Sequence, residues 1–219
     1  MNEEHVQDEP ITPQGPGEEV EPELSPEARE RRRAALALVR VFGDPVLNSR
    51  ATPVSDFDAT LAQEAERMVA IMRDGLGVGL AATQLGVMRR LLVFQAGFDA
   101  TPTAVANTEI EWSSDELATA EEGCLSLPRV VVDVERPLHV RVRGRDMSGE
   151  RLLIEASGLE ARVLQHELDH LDGVLMLDRT EREQRKGALR ALRAGESFAP
   201  ERPEHEPAAA GGVSYDADQ

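Results

Sequence analysis

The chain is poor in cysteine, long apolar runs and positive charge, and each shortage narrows what it can be. Cys124 is the single cysteine in 219 residues, so no internal disulfide can form; that fits a reducing compartment and leaves open what a solitary thiol is for. No apolar stretch approaches the roughly 20 residues that span a bilayer, and the acidic N-terminal segment lacks the basic and apolar regions of a secretory signal. A soluble protein of the cytoplasm, with no membrane association, is expected. The formal net charge of -17 disfavours phosphate-backbone partners, and direct DNA binding is not expected. No internal repeat is present, which excludes a repeat architecture.

The charge is concentrated at the ends. Residues 1–30 carry ten Asp or Glu against Arg29, and residues 196–219 carry six against Arg202, which leaves residues 31–195 at only -3. Both ends are rich in Pro, Gly, Ala and acidic residues and cannot bury enough apolar surface to offset the entropy of ordering. The expected organisation is an acidic disordered extension over 1–30, one catalytic domain over 31–195 and an acidic disordered tail over 196–219. Solvation or docking to a partner would each suit such tails.

Within the core, Ser25 and Pro26 open a helix over Pro26–Arg40 as N-cap and first helical residue. Leu61, Ala65, Met68, Val69 and Met72 repeat at helical spacing, predicting a helix over Thr60–Arg73 with one buried face. Leu91–Phe94, Ala104–Ala106 and Val130–Val134 have strand length and are β-branched in part. Leu138, Val140 and Val142 alternate with His139, Arg141 and Arg143, and Ser148–Gly149 turns the chain towards Leu152–Ile154, a hairpin. Helices follow over Leu159–Leu171 and Thr180–Arg193. Without a regular strand–helix alternation, the fold class is α+β: one domain of mixed or antiparallel strands around a central helix, closed by a C-terminal helix.

The chemistry concentrates in Gln165-His166-Glu167-Leu168-Asp169-His170. In a helix, His166 and His170 lie one turn apart on one face and can grip a single ion, while Glu167 reaches towards the ion's water from the side. A polar helix with two ordinary histidines is the plain alternative. A catalytic ion of this kind takes three protein ligands. The zinc-protease continuation of this motif is followed through Gly173, but Met176 stands where its third histidine would be, and His205 falls in the acidic tail. Upstream, Cys124 sits in Glu122-Gly123-Cys124-Leu125-Ser126. A lone cysteine is commonly a small buried hydrophobe, yet the orphan histidine pair favours Cys124, His166 and His170 as the ligand set.

Gly77-Val78-Gly79-Leu80-Ala81-Ala82-Thr83-Gln84, the cysteine segment and the histidine segment together resemble, in order, the three signature motifs of peptide deformylases. The likeness extends over about residues 36–190. It implies removal of the formyl group from N-terminal formyl-methionine of nascent proteins, with release of formate. It also implies one divalent metal ion, Fe(II) natively, with Zn, Ni or Co able to replace it. Hydroxide generated at the ion would attack the formyl carbon, Glu167 acting as general base. Gln84 and the Leu125 N–H would hold the developing oxyanion. Gly77, Val78 and Gly79, with Glu122 and Gly123, would flank the peptide, although G-x-G could equally be a loop that needs glycine. Leu159 and Val163, with the stem of Arg162, would form the methionine pocket or simply pack in the core. Arg136 would pair with Glu122 or Asp169 behind the ligands.

One segment departs from the resemblance. After Leu127-Pro128 the chain reads Arg129-Val130-Val131-Val132, and a substrate-contacting arginine that the resemblance implies is missing at Val131; either Arg129 substitutes from a neighbouring position or peptide affinity is weaker. The basic face of Thr180–Arg193 suits either transient ribosome contact or plain solvation. An endopeptidase would give Cys124 and Gln84 no task, and a closed structural site would need neither Glu167 nor Gln84.

Overall fold

The computed structural model describes residues 24–96 and 100–201. The acidic segments expected to be disordered lie outside the described residues over 1–23 and 202–219. Helix α1, Pro26–Leu36, begins where Ser25 Oγ accepts the Ala28 N–H at 3.2 Å. It therefore starts inside the expected N-terminal extension and stops before Arg40. Helix α2, Ala59–Asp74, is capped by Asp58, whose carboxylate accepts from the Thr60 and Leu61 N–H groups at 2.9 and 3.0 Å.

Among the described residues the strands follow as β1 (Gly79–Ala81), β2 (Leu91–Phe94), β3 (Thr103–Ser113), β4 (Leu117–Cys124), β5 (Leu127–Pro137), β6 (His139–Arg145) and β7 (Arg151–Ser157). They form a five-stranded antiparallel sheet in the order β1-β2-β3-β6-β7 and a separate β4–β5 hairpin. Helix α3, Gly158–Leu171, and helix α4, Arg182–Ala194, complete the domain. The predicted α+β domain of antiparallel strands around a central helix is therefore the fold observed.

Three apolar clusters fix these layers. Ala161, Leu164, Leu168 and Leu171 of α3 pack on Leu92, Val105, Val140 and Val142 of the large sheet. The other face takes Leu61, Met68 and Met72 of α2 against Leu80, Leu91 and Val93. Leu127, Val130, Val132 and Val134 alternate inward along β5 and meet Leu175, Met176 and α4 through Ala188. At 25 cal/mol per Å² of apolar area removed from water, each such buried side chain contributes about 1.5–3 kcal/mol before ordering costs. Helix α3 is thus held between the sheet and the hairpin, which brings its polar residues towards the end of β4.

The expected boundary of the C-terminal tail needs correction. Phe198 joins the β5 cluster and bridges Val130 in parallel pairing, so residues 196–198 continue the packed domain. An aromatic ring that finds an apolar slot overrides the polar composition around it.

Candidate metal centre

Cys124 ends β4, where the pairing with β5 shifts register between Gly123 and Cys124 and the chain turns through Leu125 and Ser126. That irregularity lifts the sulfur out of the hairpin towards α3. His166 and His170 project from one face of α3, their rings 4.8 Å apart at 81°. The ligand atoms of Cys124, His166 and His170 all lie within 4.8 Å of one another, with Cys124 Sγ 3.1 Å from His170 Nε2. A thiol and two imidazoles converging from separate elements fit the donor set of a divalent transition metal. Met176 is buried in the β5 cluster, so the protease arrangement has no ligand there.

The arrangement polarises its own groups. Burial opposes ionisation of the Cys124 thiol, but the charge of His170 and hydrogen bonds with both imidazoles hold it well below its ordinary value. Burial also disfavours the charged imidazole of His166, yet its bonds to Cys124 and Glu122 raise it well above the ordinary value.

Glu122 lies behind His166, only 6% exposed. Its Oε2 accepts from His166 Nδ1 at 2.9 Å, which leaves Nε2 as that ring's ligand atom. Arg136 donates to both Glu122 oxygens at 2.6 and 2.9 Å and to Asp169 Oδ2 at 2.9 Å. Arg136 therefore joins both acids that the sequence offered as alternatives. Arg162 Nη1 adds a bond to Glu122 Oε1 at 2.8 Å, and Arg179 Nη2 bonds Asp169 Oδ1 at 2.6 Å. Burial would raise the Glu122 carboxyl, but the bonds from Arg136 and His166 bring it down to about 2. The Glu122 side chain, expected beside the substrate, is committed to this network and leaves its main chain for that purpose.

Glu167 lies on the cleft side of α3, 4% exposed, and its Oε2 is buried with no hydrogen-bond partner among the described residues. Burial pushes this carboxyl up to about 7, against the pull of His166 and His170. Gly79 makes room for it: a Cβ there would stand 2.8 Å from both Cγ and Cδ of Glu167. Gln84, in the 3-10 turn Ala82–Leu85, accepts the Ala81 N–H on Oε1 at 2.8 Å. Its Nε2 is thereby turned to Cys124 Sγ at 3.6 Å and Ser126 Oγ at 3.2 Å.

These groups border a cleft of about 470 Å³ between β1 and the β4–β5 hairpin, with Gly77, Val78 and Gly79 on one side and Gly123 and Leu125 on the other. Leu159 (58% exposed) and Val78 (47% exposed) stand at its mouth, whereas Val163 is buried and also belongs to the α3 core. Leu125 packs its side chain towards Gly77. Arg162 lines the cleft, but its guanidinium binds Glu122, Val134 O and Ala118 O.

Sequence reasoning passed over Ser126, Arg179 and the guanidinium of Arg162. Arg162 is one turn before His166, a spacing that could have revealed it; nothing local marks the other two.

The fold and this centre define a metal-binding α+β hydrolase domain, and comparison with known proteins specifies it. The polypeptide deformylase family model matches residues 36–186. The peptide deformylase of Thermotoga neapolitana is 50% identical over 141 residues, covering 64% of this chain and 85% of that protein. Peptide deformylase 1 of Corynebacterium efficiens is 45% identical over 162 residues, covering 73% and 96%. The crystal structure of the Thermotoga maritima peptide deformylase superposes with a TM-score of 0.63 at 47% identity, covering 65% of this chain and 96% of that one. The chain belongs to the polypeptide deformylase family, metal-dependent hydrolases that remove the N-terminal formyl group of nascent proteins. No helix among the described residues is long and apolar enough to cross a membrane.

Proposed function

We propose that this chain hydrolyses the formyl amide of N-formyl-methionyl peptides with Cys124, His166 and His170 holding one divalent ion, Fe(II) in the native protein. Zn, Ni or Co would suit the same thiolate and imidazole donors. The ion supplies Lewis acidity that makes water acidic enough to attack at neutral pH. The observation that carries the reading is the convergence of three ligands beside an unpartnered, buried carboxylate, Glu167.

Glu167 accepts the proton of the attacking water and returns it to the leaving amine nitrogen, so that formate and a free N-terminal amine result. The Gln84 amide, oriented by Ala81, donates to the developing oxyanion together with the Leu125 N–H; each such donor is worth about 3 kcal/mol where it has been removed from other oxyanion holes. β1 is an edge strand of the large sheet, and an extended peptide can add to its open side next to Gly77–Gly79, with Gly123 across the cleft. The exposed apolar side chains of Val78 and Leu159 offer the methionine side chain a dry surface. Glu122, itself fixed by Arg136, holds the His166 imidazole from behind, and Arg136 ties that support to Asp169. A transient ribosome contact through the basic residues of α4, in the cytoplasm, belongs to the same reading, and salt-dependent co-sedimentation tests it.

Glu167→Gln is the deciding experiment. Formate release should fall about 10²- to 10⁴-fold while bound metal stays at one ion per chain; release at the native rate would remove Glu167 from its role.

A further inference from the structure

Arg129 to Val131, which line the cleft, are gripped by the segment that follows α4, a strap over Gly195–Phe198. The Phe198 N–H donates to Arg129 O at 2.9 Å, and the Val131 N–H donates to Phe198 O at 2.8 Å. Phe198 thus pairs in parallel with Val130 along the edge of β5 that β4 leaves open. Arg129 has a φ of 62°, a region that non-glycine side chains rarely adopt, and its Nη2 donates to Gly195 O at 2.5 Å. A sparsely populated conformation persists where the surroundings overdetermine it, and here two backbone bonds and a guanidinium contact do so. The Phe198 ring lies against Gly187 of α4, where a Cβ would stand 2.9 Å from Cζ and 3.0 Å from Cδ2. Helix α4 therefore carries a slot that only glycine leaves open, and Phe198 fills it. Both Gly187 and the strap lie beyond the family match at 36–186.

We propose that Gly195–Phe198 is a strap, bridged to β5 at Val130, that positions the Arg129–Val131 wall of the substrate cleft, with Phe198 as the positioning residue. The inference rests on the deformylase reading for what the cleft binds. Arg129, Val130 and Val131 border the cleft opposite Gly77–Gly79. Without the strap, the Arg129 carbonyl and Val131 N–H lose their partners, Arg129 is released from its left-handed conformation, and the wall loses its fixed distance from β1. Among the described residues no hydrogen bond of the strap goes to the metal ligands or to Glu167. Its loss should therefore weaken peptide binding and spare the chemical step, the pattern of a lost uniform binding interaction.

The test uses the full chain loaded with metal and a formyl-Met tripeptide. Phe198→Ala should raise KM on the order of tenfold with kcat and metal content within about twofold of native, and Phe198→Leu, which keeps an apolar side chain in the slot, should leave KM nearer to native. Gly187→Ala should reproduce the KM increase by displacing the ring; because alanine is the better helix former, such a loss cannot be laid to a weakened helix. Amide exchange needs no turnover: the Val131 N–H should be protected in the native chain and exchange on the order of tenfold faster in Phe198→Ala. Unchanged KM in both variants, a parallel fall of kcat and metal content, or an unprotected native Val131 amide would each overturn the strap. Absence of formate release from the native chain would instead remove the deformylase reading, while exchange at Val131 would still decide the strap.

Discussion

The carboxylate of Glu167 lies directly over the Cα of Gly79, so that any Cβ at residue 79 would enter the space of Glu167 Cγ and Cδ at 2.8 Å. Two motifs separated by almost ninety residues are thus fitted to each other: the glycine exists to admit the acid. Strand β1, an open edge of the large sheet, therefore sets how close the Glu167 carboxyl can stand to it.

Gly79→Ala follows as the first prediction. The added methyl must push Glu167 aside, and a displacement of about 1 Å at a reacting group can cost about 10²-fold in turnover. Formate release should drop by that order, with metal content and thermal melting close to native. Native turnover in a variant that still binds metal would show that the Glu167 position is not critical.

Gln84→Leu removes the donor turned to Cys124 and Ser126 and leaves the Ala81 N–H without its acceptor. If Gln84 serves the oxyanion, kcat should fall about 10²- to 10³-fold with KM little changed. A change confined to KM would make it a binding residue instead.

Arg136→Met tests the support behind the His166 imidazole. Glu122 keeps Arg162 and Asp169 keeps Arg179, so the charges are not left wholly bare. Even so, the buried pair is broken, and stability should fall by about 3 kcal/mol, measured by urea unfolding. Metal affinity should weaken about 10- to 100-fold in a competitive chelator titration. Metal affinity equal to native would reduce Arg136 to a structural ion pair.

Cys124→Ser and metal removal should separate site from fold. The three apolar clusters are built from aliphatic residues, methionines and Phe94, and of the three ligands only Cys124 packs against one of them. Chelation should abolish formate release, readdition of metal should restore it, and far-ultraviolet circular dichroism should stay native throughout. Cys124→Ser should weaken metal binding at least as strongly as loss of an outer partner, by more than about 100-fold. Unfolding on chelation would mean that the ion is a structural staple.

Much of the fold was legible where burial imposes a period. Helix α2 shows the spacing of Leu61, Ala65, Met68 and Met72, and β6 alternates His139, Val140, Arg141 and Val142 as its two faces require. Strand β4 was not legible: Leu-Ala-Thr-Ala-Glu-Glu-Gly-Cys has no β-branched run and is largely exposed, and backbone pairing with β5 holds it extended. The outer half of β3 is exposed for the same reason and is kept in line by cross-strand partners such as Glu109 and Arg143.

The candidate ligand types, the carboxylate beside them and the family were readable from residues 77–84, 122–126 and 165–170 alone, because helical spacing places His166 and His170 together and chemistry leaves Cys124 as the candidate partner. Which acid Arg136 serves, how Gly79 admits Glu167 and why Phe198 belongs to the domain were decided only by tertiary structure. Each depends on contacts between residues far apart in the chain, and a distance across a core has no local periodicity to announce it.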